Sequence, residues 1–278
     1  MRIATTAAEV RAWHRSEPGE LGLVPTMGAL HAGHLSLVAR ARRENPRIAA
    51  SIFVNPTQFG PKEDFARYPR NIEADRAALA HAGCDLLFVP PVEQVYPPGF
   101  ETAVEVGSVA TPLEGERRPG HFRGVATVVL KLLNVVQPQR AYFGQKDAQQ
   151  LAVIRRMALD LDLPVTIVAC PTVREPDGLA LSSRNAYLDA DERRAAPVLF
   201  RALSSARERW LSGELDAGAL RDVMRGVLDG EPRVRTDYVS VADPATLQEL
   251  SRLEGPALLS LAAYLGATRL IDNVLLEP

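Results

Sequence analysis

LGLVPTMGALHAGH, residues 21–34, is the stretch that decides the fold. Leu21 to Thr26 is an apolar run too short for a helix, and it reads as a buried strand. A turn containing Gly28 follows, and helical spacing begins at or near Gly33 and His34 and runs to Arg43. A strand that passes through a glycine turn into a helix gathers unpaired backbone N–H groups and partial positive charge at one point, which suits a phosphate. Gly28 and Gly33 let the main chain come close to a ligand. His31 and His34 add N–H donors. An isolated HxGH is as readily two surface histidines; its position directly after an apolar strand favours the site. Zinc would need further nitrogen or sulfur ligands, and His14, His81, His121, Cys84 and Cys170 lack metal-like spacing.

Outward from this stretch the same alternation continues. Ile48–Val54 reads as a strand, Ile72–Ala82 as a helix, Asp85–Val89 as a strand and Arg123–Val136 as a helix. Ala141–Gly144 is then a short strand, Asp147–Asp160 a helix and Val165–Cys170 a strand. Strands alternating with helices through short links predict an α/β domain, a Rossmann-like parallel sheet with helices on both faces. Ligands of such sheets bind beyond the carboxyl ends of the strands, and the polar motifs fall there. After about Pro176 the pattern changes. A long helical stretch over Asp189–Leu211 and a helix over Leu215–Leu228 precede three β-like segments, Thr236–Val241, Ala257–Ala263 and Leu270–Leu276. The expected division is a catalytic domain, residues 1–175, and a smaller C-terminal α+β domain, residues 176–278, acting as a lid across the Pro176-Asp177-Gly178 joint.

Composition limits the partners. The 278 residues are 46% hydrophobic and 24% charged, with a formal net charge of −2. That is a globular chain without an overall field to recruit nucleic acid or an anionic membrane. No apolar run approaches the ~20 residues of a membrane span. MRIATTAAEVRAWHRSEPGE, at the start, has no apolar core of a secretory signal. Cys84 and Cys170 end or adjoin apolar runs and read as buried, reduced thiols, so the expected location is cytoplasmic.

Three further motifs carry chemistry. Gly144-Gln145-Lys146-Asp147 follows a strand and opens a helix, placing Lys146 to neutralise phosphate charge; an ordinary charged helix start is the competing reading. Leu181-Ser182-Ser183-Arg184 sets two hydroxyls and a guanidinium in a loop, a grip for pyrophosphate or a plain polar turn. FVNPTQFG, residues 53–60, places the Gln58 carboxamide beside aromatic residues, which suits a small polar acid.

In this order, PTMGALHAGH, FVNPTQF, RPGHFRGVATVV, GQKDAQQ and DGLALSSRN resemble the pantothenate synthetase family, from about Leu21 to Leu188 and more weakly beyond. HxGH alone is shared more widely, by nucleotidyltransferases and class I aminoacyl-tRNA synthetases. The resemblance implies ATP-dependent condensation of (R)-pantoate with β-alanine through a pantoyl adenylate, releasing AMP and pyrophosphate. It implies a homodimer through the larger domain and Mg²⁺ accompanying ATP. The nucleotide would meet Met27, Gly28, Ala29, Leu30, His31, Ala32, Gly33 and His34, with His34 in the catalytic role beside His31 and Lys146. Gly144, Gln145, Lys146 and Asp147 would also contact it, Val173 would pack at adenine, and Leu181, Ser182, Ser183 and Arg184 would close over the triphosphate. Gln58 and Gln150 would hold pantoate, with Gln58 near β-alanine. Asp75 matches a magnesium-linked acid, although Ala74 replaces the second acid of some relatives, and Ala148 stands where many have an aromatic residue. A nucleotidyltransferase acting on a phosphorylated acceptor would share HxGH but leave both glutamines unexplained. A silent nucleotide sensor would not need intact His31, His34 and Lys146.

Overall fold

A computed structural model describes residues 1–61 and 63–277. In chain order the elements are β1 (Arg2–Ala4), α1 (Ala7–Ser16), β2 (Leu21–Thr26), α2 (Ala32–Glu44), β3 (Arg47–Ile52), α3 (Ile72–His81) and β4 (Leu86–Phe88). Next come α4 (Val92–Val95), α5 (Glu114–Arg117), α6 (His121–Val136), β5 (Arg140–Gly144), α7 (Ala148–Asp160) and β6 (Thr166–Cys170). The C-terminal elements are α8 (Ala190–Ala195), α9 (Val198–Leu211), α10 (Ala217–Asp229), β7 (Val234–Ala242), β8 (Ala257–Leu265) and β9 (Thr268–Leu276). The chain divides into two compact units: Met1–Gly144 with Val153–Pro171, and Gln145–Ala152 with Thr172–Pro278.

In the first unit, β1-β4-β3-β2-β5-β6 form one sheet whose pairings are all parallel. The chain steps from β2 through β3 to β4 in one direction, then returns to add β5 on the other side of β2. The strand order therefore reverses at β2 and β5, the point where open α/β sheets bind ligands. Alternation along β2 distributes its side chains to two faces. Val24 packs with Leu37, Val38 and Ala41 of α2, Leu79 of α3 and Ile48 and Ala50 of β3. Leu21 and Leu23, also fully buried, point the other way, and the packed pair α1 and α6 lies apart from this cluster, with α6 against β2. β1 forms by pairing with β4, whereas α1 has a local cause. Thr6 Oγ1 accepts from Glu9 N at 3.3 Å while the Glu9 carboxylate accepts from Thr6 N at 3.0 Å, a reciprocal cap written in the sequence as TAAE.

The second unit is α+β. An antiparallel sheet, β7-β8-β9, buries Leu259, Leu261 and Ala263 against Leu199 and Leu203 of α9 and Leu220 and Met224 of α10. The single helix expected over Asp189–Leu211 is two, α8 and α9, which is a correction. Pro197 caps α9, and a proline offers no N–H to continue the preceding helix. Both cysteines are free and buried, and burial pushes the Cys84 thiol up to about 12. Among the described residues no helix is long and apolar enough to cross a membrane.

Candidate active site

Where β2 ends, the chain must turn sharply without losing its backbone partners. Thr26 Oγ1 donates to Ser51 O at 2.8 Å and accepts from Gly28 N at 3.2 Å. Gly28 then adopts φ +82°, and a Cβ there would stand 2.9 Å from Asp75 Oδ2, so the position requires glycine on both counts. Ala29 follows at φ 51°, a left-handed conformation that costs an L residue energy unless its surroundings hold it.

Asp75 holds it. From α3 its carboxylate accepts Ala29 N at 2.9 Å and Leu30 N at 2.8 Å, one N–H on each oxygen. The residue is 4% exposed. The structure gives Asp75 a task besides the magnesium role that the resemblance implies: each of its oxygens accepts a backbone donor, so it fixes the entry to the HxGH turn.

The histidines themselves cap α2. His31 Nδ1 accepts from Gly33 N at 3.1 Å, and His34 Nδ1 accepts from His31 N at 3.4 Å. Their rings lie 4.2 Å apart, tilted by 42°. A neutral imidazole whose Nδ1 accepts a hydrogen bond must carry its proton on Nε2. Both Nε2 atoms are therefore N–H donors, set at a helix N-terminus whose dipole favours an anion.

Beyond β3, Asn55 organises a single 3₁₀ turn, Pro56–Gln58. Its Nδ2 donates to Gln58 Oε1 and to Gly124 O, each at 3.1 Å, and its Oδ1 accepts from Tyr96 OH at 2.8 Å and Thr57 Oγ1 at 2.9 Å. Gly124 permits the approach of α6, since a Cβ there would meet Thr57 O at 2.5 Å. Gln58 is 8% exposed, and its Nε2 reaches Met27 Sδ at 3.0 Å. The turn is braced from outside as well. His121 Nδ1 donates to Gln58 O at 2.8 Å, and its Nε2 accepts from Arg118, 3.0 Å away. Arg118 in turn clasps Glu63 through two bonds of 2.7 and 2.8 Å. Burial, and then the Arg118 charge, lower His121 to about 4 and keep it neutral. Burial works to raise Glu63, but the Arg118 hydrogen bond and charge outweigh it and lower the carboxyl below its ordinary value.

In the second unit, Gln145–Asp147 form a 3₁₀ turn leading into α7, with Asp147 exposed and Lys146 partly buried. Lys146 lines a small cavity with Ser182, Asn185, Leu179, Leu270 and Asp272. Leu181 N donates to Val173 O at 3.0 Å, and Ser182 Oγ accepts from Arg184 N at 3.3 Å. Val173, Leu181, Ser182, Ser183 and Arg184 thus belong to one folded loop. Gln150 is half-buried in the first turn of α7, beside the more deeply buried Gln149.

The structure therefore brings Met27–His34, Gln58 and Asp75 together in the first unit, where Gly144 ends β5. In the second, Lys146 and Ser182 line one cavity, Val173 and Leu181–Arg184 belong to one folded loop, and Gln150 lies in the same unit. The sequence pattern did not point to Asn55, to the Glu63–Arg118–His121 chain, or to Asp272 and Asn273. The last pair left a signal: RLIDNVLL places an acid and an amide inside an apolar strand, where buried polar groups are rare unless partnered.

Residues 2–275 match the family model described as pantoate-beta-alanine ligase. The chain is 61% identical over 277 residues to the pantothenate synthetase of Roseiflexus sp. (strain RS-1), covering 100% of both. It superposes on the crystal structure of pantothenate synthetase from Thermus thermophilus with a TM-score of 0.96 at 53% identity, covering 100% of each chain. It superposes on the pantoate-beta-alanine ligase from Francisella tularensis, crystallised with beta-gamma ATP and beta-alanine, with a TM-score of 0.80 at 35% identity; the match covers 99% of this chain and 97% of that one.

Proposed function

Because the chain belongs to the pantoate–β-alanine ligase family and so joins pantoate to β-alanine to give pantothenate, we propose that its reaction passes through a pantoyl adenylate made from ATP. The pantoate carboxylate attacks the α-phosphorus, so an anion approaches an anion and charge grows on the phosphate oxygens. The observation that carries this reading is the pair of Nε2–H donors of His31 and His34 at the start of α2, oriented before substrate arrives. Such donors act without reorganising at the moment of reaction, which is where electrostatic stabilisation gains most. His34 is assigned the catalytic role beside His31, and Met27–His34 the nucleotide. Lys146 and Arg184 offset phosphate charge, with Gly144–Asp147, Val173 and Leu181–Ser183 as further nucleotide contacts. Pyrophosphate leaves, the neutral amine of β-alanine attacks the acyl carbon, and AMP departs.

Gln58 and Gln150 are assigned to pantoate, with Gln58 also near β-alanine. The Asn55 bond leaves the Gln58 amide little rotational freedom, so its loss of entropy on binding is small. Magnesium belongs to this reading as part of the MgATP substrate, with Asp75 the acid that the resemblance links to it. The lid role is assigned to the C-terminal residues 176–278, which carry Ser182, Ser183 and Arg184. A homodimer in the cytoplasm completes the reading, supported by family resemblance and by two free thiols.

Oxygen transfer tests the chemistry. With ¹⁸O in the pantoate carboxylate, one label should appear in AMP after a single turnover. Label retained wholly in pantothenate and unreacted pantoate would rule out the adenylate.

A further inference from the structure

Lys146 sits in a turn whose own sequence does little to fix it, since among the described residues no side chain within Gln145–Asp147 supplies a bond that would hold the turn's carbonyls. That bond comes from the last strand. Asn273 Nδ2 donates to Gln145 O at 3.0 Å and to Lys146 O at 2.8 Å. The two carbonyls can only accept, so they dictate which end of the amide faces them. Asn273 is 5% exposed, and its Oδ1 is buried without a hydrogen-bond partner among the described residues. An orphaned buried acceptor is a cost to folding. A side chain that carries such a cost while spending both donors on one turn points to a function for that turn.

The adjacent residue anchors the clamp. Asp272, on β9, accepts Arg174 Nη1 at 2.6 Å on Oδ2 and Arg174 Nη2 at 2.9 Å on Oδ1, and Oδ1 also accepts Asn273 N at 2.8 Å. Arg174 returns one bond to Asn273 O at 3.3 Å and another to Gly178 O at 3.1 Å, with its guanidinium 3.9 Å from the centroid of the Phe200 ring. A planar guanidinium held on both edges and one face has little freedom left. Asn273 is thus a rigid fixture, and rigidity is what a positioning group needs.

We propose that Asn273, braced by the Asp272–Arg174 pair, is a positioning residue for Lys146. It fixes the two carbonyls that flank the Lys146 Cα, and so the direction from which the ammonium group leaves the main chain. This rests on Lys146 acting on phosphate, and the two ideas fail in different ways.

The test is a double-mutant cycle between Asn273→Ala and Lys146→Ala, read by single-turnover formation of pantoyl adenylate and by the pantoate and ATP dissociation constants. Misplacing a reacting group by about an ångström costs on the order of 100-fold in rate, so Asn273→Ala should slow adenylate formation roughly 10- to 100-fold. Pantoate affinity should stay within about twofold. In the Lys146→Ala background the Asn273 substitution should add less than about twofold, because the group it positions is gone. Asn273→Leu, nearly the same shape and without the two donors, should give the same loss; it leaves no cavity, although the Gln145 and Lys146 carbonyls lose their partner, so its melting temperature is read beside the rate, and it decides the matter if the alanine variant does not fold. Full activity in Asn273→Leu, or an undiminished Asn273 effect when Lys146 is absent, overturns the proposal. An unchanged rate in Lys146→Ala alone overturns the phosphate role on which it stands.

Discussion

The HxGH turn and the GQKD turn both follow strands of one parallel sheet, and both carry groups assigned to phosphate, yet they are oriented by opposite means. In the first, the bonds that set the two imidazoles span two and three residues. In the second, the bonds that set the turn arrive from Asn273, 127 and 128 residues away. Donors fixed by local caps form wherever the helix forms. A turn fixed by a distant strand is correct only when that strand is docked. Substitutions should therefore act on the histidine site through chemistry, and on the lysine site through structure first.

The largest expected effect tests the first half of that contrast. His34→Ala should slow adenylate formation about 100- to 1,000-fold, or about 3–4 kcal/mol of transition-state stabilisation, with little change in melting temperature. A comparable fall in stability would mean the histidine cap is a structural element and would erase the distinction.

Acid should reach the first unit by a third route. His121 titrates at about 4 in the fold against an ordinary value of 6.5, so the unfolded chain takes up a proton that the folded one refuses. Stability from this group is complete above pH 6.5 and is lost as the pH falls toward 4, by up to about 3 kcal/mol. The lowered Glu63 carboxyl adds loss in the same direction at lower pH. Urea midpoints measured from neutral to acid pH should show this slope, and His121→Asn, which keeps a donor near Gln58 O without the titration, should flatten it. An unaltered slope in the variant would remove the His121 chain from the account of how Gln58 is held.

Asp75→Asn probes a long-range prop of the HxGH turn. It replaces a carboxylate oxygen that accepts a backbone N–H with an amide that opposes it, at a cost of about 2 kcal/mol in stability. The magnesium concentration for half-maximal activity reads the other role. A severalfold rise would make Asp75 a metal ligand as well as a prop, and an unchanged value would leave it the prop alone.

Gln58→Ala gives the smallest effect. Pantoate affinity should fall on the order of 10-fold, about 1–2 kcal/mol for the lost polar partner, with ATP affinity within about twofold by calorimetry. Equal losses for both ligands would place Gln58 in the nucleotide site.

Legibility in the sequence followed the range of the interaction. The β2 strand stands at Leu21–Thr26, as the apolar run predicted, and α2, β3, α3, β5 and α6 lie within a few residues of expectation. The TAAE cap of α1 was equally local but sits in a segment too polar to draw notice. Asp189–Leu211 has helical spacing throughout, and there a single residue, Pro197, overrides the pattern. Asp75 shows the harder case. NIEAD marks an acid near the site in either role, and only the approach of Ala29 N and Leu30 N decides that the acid faces main chain.

By itself the sequence determined the alternation of strands and helices from β2 to β6, the change of pattern beyond it and the position of the HxGH, NPTQ and GQKD motifs at the ends of strands. Periodicity, turn residues and caps act within one or two turns of chain, and they can be read there. Only the tertiary structure decided which groups hold the motif turns. A turn at a strand end leaves backbone N–H and C=O groups that need partners, and those partners are whatever the topology brings beside them: Asp75 across 45 residues, His121 across 63, Asn273 across 127. No local pattern encodes such pairings, because each exists only once the strands between have taken their places in the sheet.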